Sequence, residues 1–186
     1  MKKLWYNWHD VERMCHSLVN QMYAECWRPE LIVGITRGGN VPATILSNML
    51  DIPCDTLNVS FRDNQQSESN CWMAEDAFGY GLLEDGSATP AYCGSVPEKR
   101  KRILIVDDIN DTGRTFQWII DDWQDNCLGK DPAWKQVWDN NVRFAVLTEN
   151  LSSNFPLVRY YASEVNKAER SLWVVYPWEN VGVYDK

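Results

Sequence analysis

The run Arg102 to Phe116, Arg-Ile-Leu-Ile-Val-Asp-Asp-Ile-Asn-Asp-Thr-Gly-Arg-Thr-Phe, constrains this chain more than any other. Ile103 to Val106 are four consecutive apolar residues, three of them β-branched. Bounded by polar residues, such a run reads as a strand buried on both faces, the kind a parallel sheet contains. Asp107 and Asp108 stand where that strand is expected to leave the sheet, and Asp111 to Thr115 form a small polar turn. Phe116, Ile119, Ile120 and Trp123 then recur at helical spacing, so the next element is an amphipathic helix.

That order carries chemistry. Ligands of open α/β sheets bind just beyond the carboxyl ends of the strands. A turn of backbone N–H groups feeding a helix N-terminus is a ready anion site. Thr112 to Thr115 suit a phosphate, with two Thr hydroxyls as further donors. Adjacent carboxylates beside a phosphate are repulsive unless they accept hydrogen bonds from sugar hydroxyls, or face a Mg²⁺ that also touches the substrate. A ribose phosphate satisfies all of these groups. Taken singly, the acidic pair reads as solvated loop residues and Thr-Gly-Arg-Thr as a helix cap; the order of the parts is what points to a site.

The whole run resembles the signature of the type I phosphoribosyltransferases, enzymes that bind phosphoribosyl pyrophosphate (PRPP). The resemblance implies that Asp107 and Asp108 bind the ribose hydroxyls and face the metal. It also implies that Thr112, Gly113, Arg114 and Thr115 hold the 5′-phosphate. Asp111 resembles the family's residue near the purine N7, a candidate general acid/base.

Upstream, Leu31 to Ile35 reads as a buried strand and Val41 to Leu50 as a helix, with Pro42 in its first turn where a missing N–H does no harm. The turn between them, Thr36-Arg37-Gly38-Gly39-Asn40, fits neither a Walker loop nor a Gly-x-Gly-x-x-Gly fingerprint. Paired glycines let a backbone approach an anion, and Arg37 offers charge-assisted hydrogen bonds. A tight turn with a solvated Arg is the alternative. Gly-Ile-Thr-Arg-Gly-Gly-Asn-Val-Pro-Ala resembles the pyrophosphate loop of bacterial xanthine–guanine phosphoribosyltransferase. That resemblance assigns Thr36, Arg37, Gly38 and Gly39 to pyrophosphate and implies a cis Thr36–Arg37 peptide.

The C-terminal run Leu-Trp-Val-Val-Tyr-Pro-Trp-Glu-Asn resembles the base-binding segment of the same enzymes. It implies that Trp173 stacks on the purine, sound physics for an indole face against a planar heterocycle. By residue type alone Trp173 reads as core, in a chain with ten tryptophans. Glu179 matches an acidic position near the metal and pyrophosphate. One departure concerns the base. Purine enzymes of this group end the strand after the central helix with a Lys that donates to the 6-oxo group, and here Thr148-Glu149-Asn150 fills that place. Glu149 could accept from an exocyclic amine or ring N–H, whereas a register shifted by one would present Asn150 as a donor.

Elsewhere, Val11, Cys15, Leu18 and Met22 mark a helix from about Trp8 to Trp27, ended by Pro29. Thr56 to Phe61 alternates as a half-buried strand, and Arg143 to Leu147, Val158 to Tyr161 and Leu172 to Val175 are further strand candidates. Residues 62–101 are polar with scattered aromatics, and the resemblance makes them an enlarged mobile loop that closes over the substrates. A second insertion, residues 128–141, holds a short helix from Pro132 to Trp138 with Trp134 and Trp138 on one face. About 150–186 would form a hood over the base.

At 186 residues the chain fits one domain, 1–186. A net charge of −8 argues against nucleic-acid partners. No run approaches a membrane span and the N-terminus lacks a signal-peptide core, which points to the cytoplasm and no membrane partner. The six cysteines show neither Cys-x-x-Cys spacing nor a His cluster, so zinc and a disulfide framework are not expected and free core thiols are. The expected fold is α/β, of the type I phosphoribosyltransferase kind, mainly a parallel sheet flanked by helices with a small C-terminal hood. The resemblance implies a Mg²⁺-dependent enzyme of PRPP and a purine-like nucleobase, assembled as a homo-oligomer, dimer or tetramer. A PRPP-binding regulator, or an enzyme for a base other than a 6-oxopurine, are the alternatives.

Overall fold

The computed structural model describes residues 2–59, 67, 70–82, 88–90, 100–128 and 130–179. Its centre is a five-stranded sheet in the order β3-β2-β6-β7-β8, parallel throughout. The strands are β2 (Leu31–Ile35), β3 (Cys54–Leu57), β6 (Ile103–Asn110), β7 (Val142–Asn150) and β8 (Val158–Val165). β6 lies in the middle, which is why its first four residues are all buried. Two parallel strands, β1 (Lys2–Trp5) and β9 (Leu172–Val175), join the chain's ends in a separate small sheet. A third pair, β4 (Tyr80–Leu82) and β5 (Ala88–Pro90), is antiparallel.

Helices cover both faces of the main sheet. Val11, Cys15, Leu18 and Met22 of α1 (Trp8–Ala24) and Ala43, Leu46 and Leu50 of α2 (Asn40–Leu50) bury Ile32, Leu104, Val106, Ala145 and Leu147. On the other face, Phe116 and Ile119 of α4 (Arg114–Asp122) and Met73, Ala77 and Phe78 of α3 (Cys71–Phe78) cover Val33, Ile105, Phe144 and Val146. α1 starts at a reciprocal cap, in which Asp10 N–H donates to Asn7 Oδ1 (2.9 Å) and Asn7 N–H to Asp10 Oδ2 (3.0 Å). It stops before the expected Trp27, because Cys26 takes a left-handed φ of 52° and Trp27 N–H reaches back to the Met22 carbonyl (3.0 Å).

Several expectations need correcting. β6 does not end before the acidic pair but runs on to Asn110, since β7 is long enough to keep Ile109 opposite Thr148 and Asn110 opposite Glu149. The strand expected over Thr56 to Phe61 begins earlier, at Cys54, and ends at Leu57; Phe61 lies outside the described residues. Much of the 62–101 loop is likewise outside them, yet its Cys71–Phe78 portion is α3, with Met73, Ala74, Ala77 and Phe78 buried along one side. Polar flanks hid that short apolar stripe.

A disulfide, Cys71–Cys127, ties the start of α3 to the single π-helical turn (Trp123–Cys127) after α4. The two cysteines are 56 residues apart in sequence, so no local spacing announces the pair, while the fold brings their Cα atoms to 4.9 Å. Cys15 is the expected buried thiol, whereas Cys26 and Cys54 are exposed; Cys93 lies outside the described residues. The second insertion is core, not ornament. Its short 3₁₀ helix (Pro132–Gln136) buries Trp134, which stacks on Trp138 at 5.3 Å and packs against Phe78 at 5.0 Å.

Candidate active site

The site forms where β2 and β6 end. Two glycines after β2 bring the loop down onto the acidic pair. A Cβ on Gly38 would lie 2.5 Å from Asp108 Cγ, and one on Gly39 would lie 2.8 Å from the Ile35 carbonyl and 2.9 Å from Asp107 Cα. No larger residue permits that approach. The Thr36–Arg37 peptide is cis. Thr36 is held at both ends, its N–H on the Leu57 carbonyl and its hydroxyl on Asn58 Oδ1, each at 3.0 Å.

The acidic pair is half-buried and internally braced. Asp107 Oδ1 accepts the Asp108 N–H (2.9 Å), and Asp108 Oδ1 accepts the Ile109 N–H (2.8 Å). These local bonds fix each carboxylate against its own backbone while β6 continues beneath. Beyond it the turn Asp111–Gly113 leads into α4, with Gly113 at φ 83°. That glycine packs on the β7–β8 connection, where an added Cβ would meet Phe155 N at 2.8 Å and Ser153 Oγ at 3.0 Å. Thr112 to Thr115 thus span the N-terminus of α4, whose first amides have no intrahelical acceptor.

Asp111 stands between two cationic or amide donors. Lys167 Nζ lies 2.9 Å from its Oδ1, and Asn150 Nδ2 donates to its carbonyl (2.8 Å) and to Oδ1 (3.3 Å). The hood is fastened from the other side. The Tyr176 hydroxyl, almost wholly buried, donates to the Asp108 carbonyl (2.7 Å) and is 2.8 Å from Thr148 Oγ1. Burial, then the nearby Asp108 charge, hold that phenol well above its usual range.

The loop Thr36–Gly39, the pair Asp107–Asp108 and the Tyr176 anchor are therefore in direct contact, and Asp111 with Thr112–Thr115 follows on the same strand end. Trp173 lies on β9 opposite Lys3 of β1, half-buried in the small sheet. Glu179 follows three residues past Tyr176, its N–H on the Tyr176 carbonyl at 3.0 Å. Among the described residues no group of three or more His, Cys, Asp or Glu side chains forms a metal cage, so Asp107, Asp108 and Glu179 are not gathered into one. Both carboxylate oxygens of Glu149 accept from Nδ2 of the buried Asn110, at 2.9 and 3.1 Å. Burial and the neighbouring Glu164 lift its carboxyl to about 7, opposed by the Asn110 bond.

Sequence reasoning missed Asn150 as a clamp, Lys167, Tyr176 and Asn58. Asn150 was in view only as a possible donor to the base; nothing in its local pattern shows that it braces Asp111. Lys167 belongs to a turn between two weak strand candidates.

A glycine loop pressed onto an acidic pair near the end of β6, with a polar turn at the next helix N-terminus, is the arrangement of a type I phosphoribosyltransferase fold. The comparisons agree. The family model for the phosphoribosyl transferase domain matches residues 5–179, and the chain belongs to that family of enzymes. It is similar to the hypoxanthine-guanine phosphoribosyltransferase of Schizosaccharomyces pombe, 25% identical with 95% of this chain and 89% of the relative covered. It is also similar to the xanthine-guanine phosphoribosyltransferase of Cereibacter sphaeroides, 28% identical over 93% of this chain and 84% of the relative. Among solved structures, the purine phosphoribosyltransferase of Pyrococcus horikoshii superposes with a TM-score of 0.59 at 25% identity, covering 100% of this chain and 99% of that one. Among the described residues no helix is long and apolar enough to cross a membrane.

Proposed function

We propose that this enzyme transfers the 5-phosphoribosyl group of PRPP to a purine base, in the first instance a 6-oxopurine, with release of pyrophosphate. The observation that carries the reading is the seating of Gly38 and Gly39 on Asp108 and Asp107. It sets a loop suited to pyrophosphate directly beside carboxylates suited to a ribose, and C1′ belongs between them. The named bases of the relatives support a purine acceptor.

The bond from C1′ to a pyrophosphate oxygen breaks and its electron pair leaves with pyrophosphate. One imidazole-ring nitrogen of the base supplies the pair for the new bond, and the proton carried by the other ring nitrogen passes to Asp111. Positive charge grows on the ribosyl carbon and negative charge on the leaving group, where Arg37 and the loop amides stabilise it. Asp107 and Asp108 fix the ribose hydroxyls, and the amides of Thr112 to Thr115 hold the 5′-phosphate, so C1′ is presented to the base in line. Trp173 supplies a stacking face for the base.

The residues present fit a Mg²⁺ carried in with PRPP. Two adjacent carboxylates without a full protein cage suit an ion that keeps its waters and takes its other ligands from substrate oxygens. Asp107 and Asp108 would hold it, and when bound it would neutralise charge on the departing pyrophosphate; Glu179 is not gathered with them. A panel of hypoxanthine, guanine, xanthine and adenine incubated with PRPP and Mg²⁺, scored for pyrophosphate and nucleotide, tests the reading. Release with at least one purine is expected; PRPP binding without transfer to any base would replace it with a regulatory role.

A further inference from the structure

We infer that Cys71 and Cys127 form a thiol–disulfide exchange site, opened by small thiols and closed by small disulfides of the glutathione type. It is a modification site apart from the cleft, and it stands whether or not the chain transfers phosphoribosyl groups. The bond joins the first residue of α3 to the last residue of the π-helical turn after α4, with Cα atoms 4.9 Å apart. Both cysteines are half-buried, and Trp72 beside Cys71 is 43% exposed. The pair thus lies at the rim of the core, where exchange reagents have access, and accessible disulfides are the labile ones.

The fold seats α3 without the bond. Met73, Ala74, Ala77 and Phe78 bury its apolar side. Its last turn is fastened repeatedly to the segments that lead into β6 and β7. Lys101 donates through its N–H to the Asp76 carbonyl (2.9 Å) and through Nζ to Asp76 Oδ2 (2.8 Å). Arg100 Nε donates to the Phe78 carbonyl (3.1 Å) and Asn141 Nδ2 to the Ala77 carbonyl (2.8 Å). The first turn has no side-chain cap, and a helix of eight residues is marginal by itself. The disulfide therefore governs that end alone. Closed, it pins the start of α3 to the extension of α4; open, that start frays while the last turn holds.

The two sulfurs are not equivalent. Cys71 stands at the positive, N-terminal end of one helix and Cys127 at the negative end of another, so Cys71 is the better thiolate. Closing begins when that thiolate attacks one sulfur of the small disulfide, forming a mixed disulfide and expelling one small thiolate. Cys127 then attacks the Cys71 sulfur and expels the second. The two cysteine protons end on the two small thiols. The protein pair loses two electrons and the small disulfide gains them; opening runs the same steps in reverse.

The test equilibrates the full chain in buffers of reduced and oxidised glutathione. Alkylation and peptide mass mapping separate this pair from the exposed Cys26 and Cys54. Expected is a midpoint within the range of buffer ratios, with Cys71 and Cys127 changing state together. Hydrogen exchange should show the first-turn amides of α3 about tenfold or more less protected in the reduced protein, with Ala77 and Phe78 unchanged. In Cys127→Ser, oxidised glutathione should leave a mixed disulfide on Cys71, and Cys71→Ser should trap much less on Cys127. A pair that never closes, or that stays closed in excess reduced glutathione, overturns the inference. Loss of the folded far-UV circular dichroism on reduction overturns it too, because the bond would then be a structural staple.

Discussion

The Tyr176 hydroxyl donates to the Asp108 carbonyl at 2.7 Å, so the segment carrying Trp173 and Glu179 is fastened to the strand that carries Asp107 and Asp108. The proposed base and sugar sites are thereby joined through one buried phenol, which also reaches Thr148 on the next strand. Tyr176→Phe removes the donor and leaves that carbonyl and hydroxyl buried without it, a loss of about 1–2 kcal/mol. Thermal unfolding should register it as a fall of several degrees. The KM for the base should rise more than that for PRPP. Equal rises in both would mean the phenol braces the whole cleft and not the hood alone.

Gly38→Ala addresses the pyrophosphate side. Its Cβ would sit 2.5 Å from Asp108 Cγ, so either the Asp108 carboxylate must swing aside or the loop must lift off the acidic pair. The expected result is a rise of about tenfold or more in the KM for PRPP, since a loop misplaced by an ångström loses much of its alignment. Binding of a base analogue should be little altered. Isothermal titration with PRPP in the absence of base separates the two, and undiminished PRPP affinity would refute the assigned contact.

How much of this was legible in the sequence depends on whether the signal was local. Leu31–Ile35 and Ile103–Val106 are unbroken apolar runs with turn residues after them, so strand type and burial were plain. The one-sided stripes of α1 and α4 were equally clear. The cis Thr36–Arg37 peptide came only from resemblance, because no residue type there demands it. β1 was not legible: Lys2–Trp5 is mostly exposed and exists because β9 pairs with it. The Cys71–Cys127 bond and the Asn150–Lys167–Asp111 cluster depend on elements far apart in the chain. No spacing rule reaches them.

Glu149 gives a pH-dependent prediction. Its carboxyl is raised to about 7 from an ordinary 4.5, first by burial and then by Glu164, against the lowering effect of Asn110. The native state therefore keeps a proton that the unfolded chain releases, and stability falls as pH rises between those two values. Glu149→Gln keeps an acceptor for Asn110 and removes the charge. Discounted for its partial exposure, the gain is about 1 kcal/mol above the native value, or some 2–4 °C in Tm. It should shrink to nothing near pH 4. Melts of both proteins at pH 4 and pH 8 measure it, and a difference independent of pH would sink the explanation.

Asp111→Asn separates chemistry from geometry. Asn keeps an oxygen for the Lys167 ammonium and for Asn150 Nδ2, and the backbone carbonyl that Asn150 holds is untouched. The turn into α4 and the 5′-phosphate amides should stay in place, so the KM for PRPP should hardly move. What Asn cannot do is take the proton released by the base. Loss of a positioned acid/base lowers turnover by about 10²–10⁴-fold, and that is the fall expected in kcat. Slow product release would mask it in the steady state, so the decisive measurement is a single turnover with enzyme in excess over base. A single-turnover rate close to that of wild type would remove Asp111 from proton transfer, leaving it only as the partner that orients Lys167.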